Sequence, residues 1–210
     1  MPVLYDYPRA PSPRRARILL AEKGVAHDTI IVDLAAGEQL KPAYAAINPA
    51  LTVPALVLDG GAVLPDNAAI AAWAEAVHPE PALLGATPLE KAEVATWNAR
   101  IEMECFMAIA EAMRNSAPAM KDRALPGPVN LAQIPELAER GRIRLATFLE
   151  RFETHLANRQ FVCGDNFTLA DITGGVALDF ARVLRIDPDE GRPAIAAWRA
   201  RLAARPSFML

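Results

Sequence analysis

The sequence has few cysteines, almost no excess of charge and no long apolar run. Its 210 residues include 2 cysteines and no Cys-x-x-Cys pair, which argues against a disulfide framework and against thiol–disulfide exchange by the protein's own thiols. The 22 basic and 25 acidic residues leave a net charge of −3, too little cationic charge to attract nucleic acid or anionic lipid. Apolar runs such as Val53–Leu58 are far shorter than the roughly 20 residues that span a bilayer.

Two further classes of protein are disfavoured by what is missing. The N-terminus lacks the apolar stretch of a signal peptide, because prolines and arginines are scattered through it. The three histidines, His27, His78 and His155, do not have the spacing of metal ligands. The apolar fraction of 52% is ample for a globular core. We therefore expect a cytoplasmic protein with no nucleic-acid partner, no membrane segment and no metal.

The first 80 or so residues alternate between strand and helix patterns. β-Branched and apolar residues predict strands at Val3–Tyr5 and Thr29–Val32, and Asp59-Gly60-Gly61 predicts a tight turn between two further strands. Helical stretches lie between and after them, ending at Ala68–Val77. The order β-α-β-α-β-β-α predicts a mixed sheet with helices packed on it.

Prolines between His78 and Pro88 indicate a domain boundary. Every later segment has helical periodicity, starting with one long helix over Leu89–Arg114 and including an apolar stripe from Leu137 to Leu156. The sequence therefore predicts an α/β domain over residues 1–79 and an all-α domain over residues 88–210.

Three short motifs are candidates for local chemistry or capping. Pro54 follows Val53 inside a strand-like run, where a cis bond would turn the Val53 backbone toward a ligand instead of a neighbouring strand. Asp66 and Asn67 stand where a helix begins, so that they either cap the helix or bind a ligand beside its free N–H groups. The segment from Thr168 to Asp171 has the spacing of a structural capping box.

These motifs together resemble the cytosolic glutathione transferases. The resemblance rests on Asn48-Pro49-Ala50-Leu51-Thr52-Val53-Pro54-Ala55-Leu56, on the following Asp59-Gly60, Leu64, Asp66 and Ala69-Ile70, and on Gly164-Asp165-Asn166-Phe167-Thr168-Leu169-Ala170-Asp171. It extends over essentially the whole chain, in order. It implies a thioredoxin-like first domain, a helical second domain, a homodimer, and glutathione as co-substrate.

The resemblance also implies roles for individual residues in glutathione binding. Val53, preceding a cis Pro54, would pair with the cysteinyl backbone, and Asp66 would hold the γ-glutamyl ammonium. The family's serine falls on Asn67, which can still donate a side-chain N–H. Two further binding residues are implied near the tripeptide, namely Gln39 and Thr52, the latter in place of the usual lysine or glutamine.

The residue that activates the thiol is left open by the resemblance. The serine of theta-like and zeta-like classes falls on Ala10, which has no hydroxyl. The cysteine position of the beta class falls on Ser12, and the tyrosine of other classes is matched best by Tyr7. Ser12 or Tyr7 would donate to the thiolate, unless backbone amides at the first helix act alone.

The activity implied is conjugation of glutathione to a small apolar electrophile. The alternatives are another glutathione-dependent reaction, such as isomerisation, dehalogenation or ether cleavage, and a non-catalytic glutathione- or hydrophobe-binding protein. The helical domain would supply the electrophile pocket, and the candidates on its first long helix are Met103, Phe106, Met107, Ile109 and Met113.

Overall fold

Four short strands form one mixed sheet in the first part of the chain. The structure, a computed structural model, describes all 210 residues. The strands are β1 (Val3–Asp6), β2 (Asp28–Ile31), β3 (Ala55–Val57) and β4 (Val63–Leu64). They are arranged in the order β2-β1-β3-β4, with β1 parallel to β2 and antiparallel to β3, which is itself antiparallel to β4. The predicted mixed sheet and its terminal hairpin are confirmed.

Helices cover this sheet with their apolar residues. They are α1 (Pro11–Glu22), α2 (Pro42–Ala45) and α3 (Asn67–Val77). The buried positions of α1 include Ile18 and Leu20, and those of α3 include Ile70. A separate buried cluster is formed by Val32, Tyr44 and Val53, against which Tyr5 and Tyr7 pack.

The rest of the chain is helical. The helices are α4 (Pro88–Arg100), α5 (Met107–Arg114), α6 (Pro135–Leu156), α7 (Leu169–Ala181) and α8 (Pro193–Ala203). Short 3-10 turns occur at Glu38–Leu40, Pro118–Met120, Arg182–Leu184 and Pro206–Met209. The apolar stripe predicted on α6 is buried at Leu145, Phe148, Phe152 and Leu156, as its spacing requires.

The predicted single helix over Leu89–Arg114 is wrong in one respect. A π-helical segment, Ile101–Phe106, separates α4 from α5 without ending the helix. A wider π turn leaves carbonyl groups without their usual helical partners. The guanidinium of Arg144, on α6, donates to the carbonyl of Met103 in this segment. Apolar periodicity does not reveal the π segment, because one extra residue in a turn is within the tolerance of a helical pattern.

Glycine allows the helices of this second part to approach closely. A Cβ at Gly141 of α6 would lie 2.6 Å from the carbonyl oxygen of Ala108 on α5. A Cβ at Gly175 of α7 would lie 2.7 Å from Leu202 and from Phe208. Both distances are too short for any larger residue, so these glycines are required for the close approach of the helices.

The capping box before α7 is confirmed and extends further than the sequence indicates. Oδ2 of Asp171 accepts from the N–H and the hydroxyl of Thr168, at 2.9 and 3.1 Å. Oδ1 accepts from the N–H of Val162 and from the indole of Trp198, both at 2.8 Å. Burial raises the pKa of this carboxyl, and the four donors act in the opposite direction. Asp171 therefore ties the start of α7 to a preceding loop and to α8.

The chain divides into two compact units. The first comprises Met1–Ala82 with Pro126–Val129 and Leu210, and the second comprises Leu83–Leu125 with Asn130–Met209. The helices of both units are too short or too polar to span a bilayer.

Candidate active site

The predicted thiol-activating hydroxyl of Ser12 lies in the first turn of α1. The residue before this helix is Ala10, which offers no side-chain cap, and Pro11 is the first helical residue. Ser12 is therefore not a capping residue, and its half-buried hydroxyl makes no hydrogen bond within the chain. The hydroxyl lies at the positive end of the helix dipole. Pro11 and Pro13 have no N–H and the N–H of Arg14 donates to the carbonyl of Ala10, so the N–H of Ser12 is the free backbone donor of this turn.

Tyr7 lies just before this helix, in the loop that follows β1. Its ring is half buried and packs against the cluster that contains Tyr44 and Val53. The loop is held by Arg17, whose guanidinium donates to both carboxylate oxygens of Asp6, at 2.6 and 2.8 Å, and to the carbonyl of Pro8 at 3.2 Å. This ion pair between Asp6 and Arg17 fixes the backbone between β1 and α1. The sequence alone did not indicate this role for either residue.

The bond between Val53 and Pro54 is cis. Strand β3 begins only at Ala55, and no hydrogen bond within the chain engages the N–H or C=O of Val53. The Val53 side chain itself is buried in the cluster with Val32 and Tyr44. The buried side chain thus anchors Val53, while its backbone N–H and C=O remain available to a ligand.

Asn48 organises the polar loops around this peptide. Its side-chain N–H donates to the carbonyls of Thr52 and Pro65, at 2.9 and 3.1 Å, and its Oδ1 accepts from Ala50 at 3.1 Å. The side chain is almost completely buried, with 1% of its surface exposed. Asn48 therefore joins the loop before Val53 to the loop before Asp66. The Asn-Pro dipeptide at 48 and 49 is a turn signal in the sequence, but the distant partner of Asn48 is visible only in the structure.

A second buried donor supports the same loop. The phenol of Tyr44 donates to the carbonyl of Thr52 at 2.6 Å. Burial raises the pKa of Tyr44 to about 12, so the phenol keeps its proton in the physiological range. Thr52 thus uses its carbonyl in the protein's own structure, and its half-buried side chain makes no hydrogen bond in the chain.

Asp66 and Asn67 stand at the start of α3. Asp66 is the N-cap, and its Oδ1 accepts from the N–H of Ala69 at 2.8 Å. The capping reading is therefore confirmed, and the second carboxylate oxygen stays exposed. The Oδ1 of Asn67 is buried and has no hydrogen-bond partner. The same is true of Oε1 of Gln39, which lies in the 3-10 turn Glu38–Leu40. Buried polar atoms without partners are rare in folded proteins and mark places where a ligand or water completes the bonding.

The candidate pocket residues of the long helix differ in how deeply they are buried. Ile109 is fully buried in the core of the helical unit, so its predicted role in lining a substrate pocket is wrong. Met103 and Met107 are 66% and 48% exposed, while Phe106 and Met113 are partly buried against the core. The periodicity of the sequence cannot separate these positions because the π segment shifts the helix face between them.

The two cysteines are free and poorly ionised. Cys105 is buried and Cys163 is half buried. Burial raises the pKa of Cys163 to about 11 and that of Cys105 still further. Cys163 lines a cavity of about 450 Å³ in the helical unit together with Trp97, His155 and Arg159. No group of three or more His, Cys, Asp or Glu side chains anywhere in the 210 residues could hold a metal ion.

A mixed-sheet unit with a cis-proline loop, followed by an all-helical unit, defines the glutathione transferase class of fold. The chain matches the glutathione S-transferase N-terminal domain over residues 10–77 and the C-terminal domain over residues 93–206. It belongs to the cytosolic glutathione S-transferase family. Its activity is that of a glutathione transferase, with glutathione as co-substrate.

Individual relatives agree with this assignment over nearly the whole chain. Glutathione S-transferase 2 of Saccharomyces cerevisiae is 35% identical over 208 residues, which cover 98% of this chain and 87% of the relative. Glutathione S-transferase 3 of Zea mays is 33% identical over 209 residues, covering 98% and 90%. The solved structure of Gtt2 from Saccharomyces cerevisiae has a TM-score of 0.89 and 35% identity, covering 99% of this chain and 98% of that one.

Proposed function

We propose that the first domain, residues 1–79, binds glutathione with the partnerless polar groups described above. The observation that carries this proposal is that the Val53 backbone, Oδ1 of Asn67 and Oε1 of Gln39 all lack partners in one small unit. The Val53 N–H and C=O pair with the cysteinyl backbone, next to Pro54. Glutathione's amide and ammonium groups are donors that suit the two side-chain oxygens.

The exposed carboxylate of Asp66 binds the γ-glutamyl ammonium. Asp66 uses one oxygen to cap α3, so the other can accept from a ligand cation without loss of the cap. The neighbouring γ-glutamyl carboxylate lies beside the free N–H groups at the start of α3, which favour an anion. Thr52, whose side chain is short and neutral, adds at most a hydroxyl contact.

The thiol of bound glutathione is activated by the hydroxyl of Ser12. A free thiol with a pKa of about 8.5 is only a few per cent ionised at neutral pH. A donor hydrogen bond and the positive end of α1 both favour the thiolate. The thiolate sulfur then forms a bond to an electrophilic carbon, from which a leaving group departs with the bonding pair. We assign the binding of this small apolar electrophile to the helical domain, residues 88–210, and the physiological role to detoxification.

The ammonium contact is tested with the Asp66→Asn variant. Asparagine is as good an N-cap as aspartate, so α3 keeps its cap while the charge is lost. We expect the dissociation constant of glutathione to rise about tenfold or more, since a charge-assisted hydrogen bond is replaced by a neutral one. Equilibrium dialysis or calorimetry measures the constant, and thermal unfolding checks that stability is unchanged.

A glutathione analogue without the γ-glutamyl amine is the matched control for this measurement. It should bind the wild-type protein and Asp66→Asn equally well, because the group that Asp66 recognises is absent. An equal loss of affinity for glutathione and for the analogue would contradict the assigned contact.

We also propose that the protein is a homodimer of the cytoplasm. The apolar side chains of Met103, on the long helix, and of Ile143, on α6, are 66% and 59% exposed. The hydrogen bond from Arg144 to the Met103 carbonyl sets these two helices side by side. Together with Met107 they give an apolar surface that suits a second copy of the chain. Two free cysteines suit a reducing compartment.

The dimer proposal is tested by introducing charge on this surface. We expect Met107→Glu to shift the protein from dimer to monomer in sedimentation equilibrium, because an interface position would then hold an unpaired charge. Leu89→Glu, at a 70% exposed position near the start of α4, is the control and should stay dimeric. A wild-type protein that sediments as a monomer at every concentration would contradict the proposal.

A further inference from the structure

Two arginines meet at the end of α5 without any carboxylate partner. Arg114, the last residue of α5, donates through Nη2 to the carbonyl of Arg123 at 2.6 Å. Arg123 donates in turn to Oδ1 of Asn130 at 2.8 Å. Both side chains are half buried. Each acceptor is a neutral carbonyl or amide oxygen, so neither positive charge is balanced.

Several other arginines of the helical unit have carboxylate partners. Arg140 and Arg144 both pair with Glu111, and Arg199 pairs with two aspartates. The stretch between residues 112 and 135 contains three cations, at positions 114, 121 and 123, and only one acid, Asp122. Asp122 is exposed and forms no ion pair with either arginine. A local cationic charge thus remains in a protein whose net charge is −3.

Burial and a neighbouring positive charge both disfavour the charged form of Arg114. Burial lowers the pKa of its guanidinium, and the neighbouring charge of Arg123 lowers it further. Its Nε is buried and has no hydrogen-bond partner. The C-terminal end of α5 offers a partial negative charge, but that charge does not engage Nε. Two adjacent guanidiniums without a carboxylate partner are an arrangement that oxyanions recognise.

The backbone that holds both arginines is well fixed. The side-chain amide of Gln133 donates to the carbonyls of Arg114 and Ala117, both at 2.8 Å. Asn115 is buried, and its Oδ1 accepts from the N–H of Ile134 at 2.9 Å. These bonds close the base of the loop that follows α5. The N–H of Arg123 donates to the carbonyl of Met120 at 2.9 Å, so both arginines extend from a fixed backbone, which lowers the entropic cost of binding a ligand.

We propose that Arg114 and Arg123 form a binding site for the oxyanion group of a small molecule, with a carboxylate or sulfate as the recognised group. The site lies entirely within the helical unit and is distinct from the residues assigned to glutathione. Arg114 and Arg123 each contribute one positive charge. The bound anion balances the two cations, which no protein carboxylate does.

The test is a titration of the full-length protein followed by ¹H–¹⁵N NMR of backbone amides and arginine Nε–H groups. The probes are sodium sulfate, sodium benzoate and neutral benzamide, with ionic strength held constant by sodium chloride. We expect saturable shifts at residues 114 to 130 with sulfate and benzoate, and none with benzamide. Stronger binding of benzoate than of sulfate would identify the ligand as an organic acid, and the reverse order would identify an inorganic anion.

Variants separate this site from general attraction of anions. Arg114→Met and Arg123→Gln are each expected to weaken both anions about tenfold or more. Arg142→Met is the matched control, because Arg142 is also half buried and also donates to a backbone carbonyl, that of Leu184. It should bind both anions as the wild type does. Arg123→Gln keeps the backbone carbonyl that Arg114 bonds, so it remains informative should Arg114→Met unfold.

Three results would overturn the proposal. The first is the absence of saturable shifts with sulfate and benzoate. The second is that Arg142→Met and Arg123→Gln bind these anions equally well. The third is that benzamide binds as strongly as benzoate. Glutathione affinity, measured on the same samples, reports separately on the first domain. A protein that binds glutathione but no anion would thus refute this site alone.

Discussion

In the Ser12→Ala variant, the thiol of bound glutathione is expected to ionise about one to two pH units higher than in the wild type. One hydrogen bond to a charged acceptor contributes about 1.5–3 kcal/mol, and each pH unit corresponds to 1.36 kcal/mol. Below neutral pH, the thiolate fraction and kcat/KM for conjugation should therefore fall about tenfold or more. Ultraviolet absorbance of the thiolate as a function of pH measures the ionisation directly.

Two further variants make the Ser12 result specific. Ser12→Thr retains a hydroxyl at the same position in the first turn of α1, so it should keep most of the shift. Tyr7→Phe should have little effect, because the Tyr7 ring packs in the cluster around Val53. If Ser12→Ala ionises like the wild type and Tyr7→Phe does not, Tyr7 is the activating residue. If neither variant changes the ionisation, the positive end of α1 and the backbone N–H of Ser12 act without a side-chain hydroxyl.

The Asp171→Ala variant is expected to lose about 4 kcal/mol of the free energy of unfolding. The change leaves the N–H groups of Val162 and Thr168 and the indole of Trp198 without an acceptor in a buried site. Each unsatisfied buried donor costs about 1–3 kcal/mol. Denaturant unfolding followed by circular dichroism measures the loss.

The nearby Asp165 provides a control for Asp171. Asp165 is exposed, and Asp165→Ala should change stability by less than about 0.5 kcal/mol. Asp171→Asn keeps the shape of the side chain and one acceptor oxygen, so its loss should be smaller than that of Asp171→Ala. A loss below about 1 kcal/mol in Asp171→Ala would mean that water replaces the carboxylate and that the network contributes little.

The sequence by itself determined the order of elements and the capping of the helices. Apolar period, β-branched residues and turn dipeptides act over a few neighbouring residues, so their effects on β1 through α3 and on α6 can be recognised locally. The same holds for Asp66 as an N-cap, and for Thr168 and Asp171 as a capping box. Such features depend on contacts between residues that are three or four positions apart in the sequence.

The tertiary structure alone decided the features that depend on distant partners. Asn48 bonds Pro65, 17 residues away, and Trp198 bonds Asp171, 27 residues away. The π segment and the burial of Ile109 are likewise visible only in the folded chain, because apolar period does not resolve them. The unbalanced charges of Arg114 and Arg123 are also tertiary, because a sequence lists cations and acids without showing which of them meet. Local chemistry therefore fixed where each element begins, and packing fixed which polar atoms were left for a ligand.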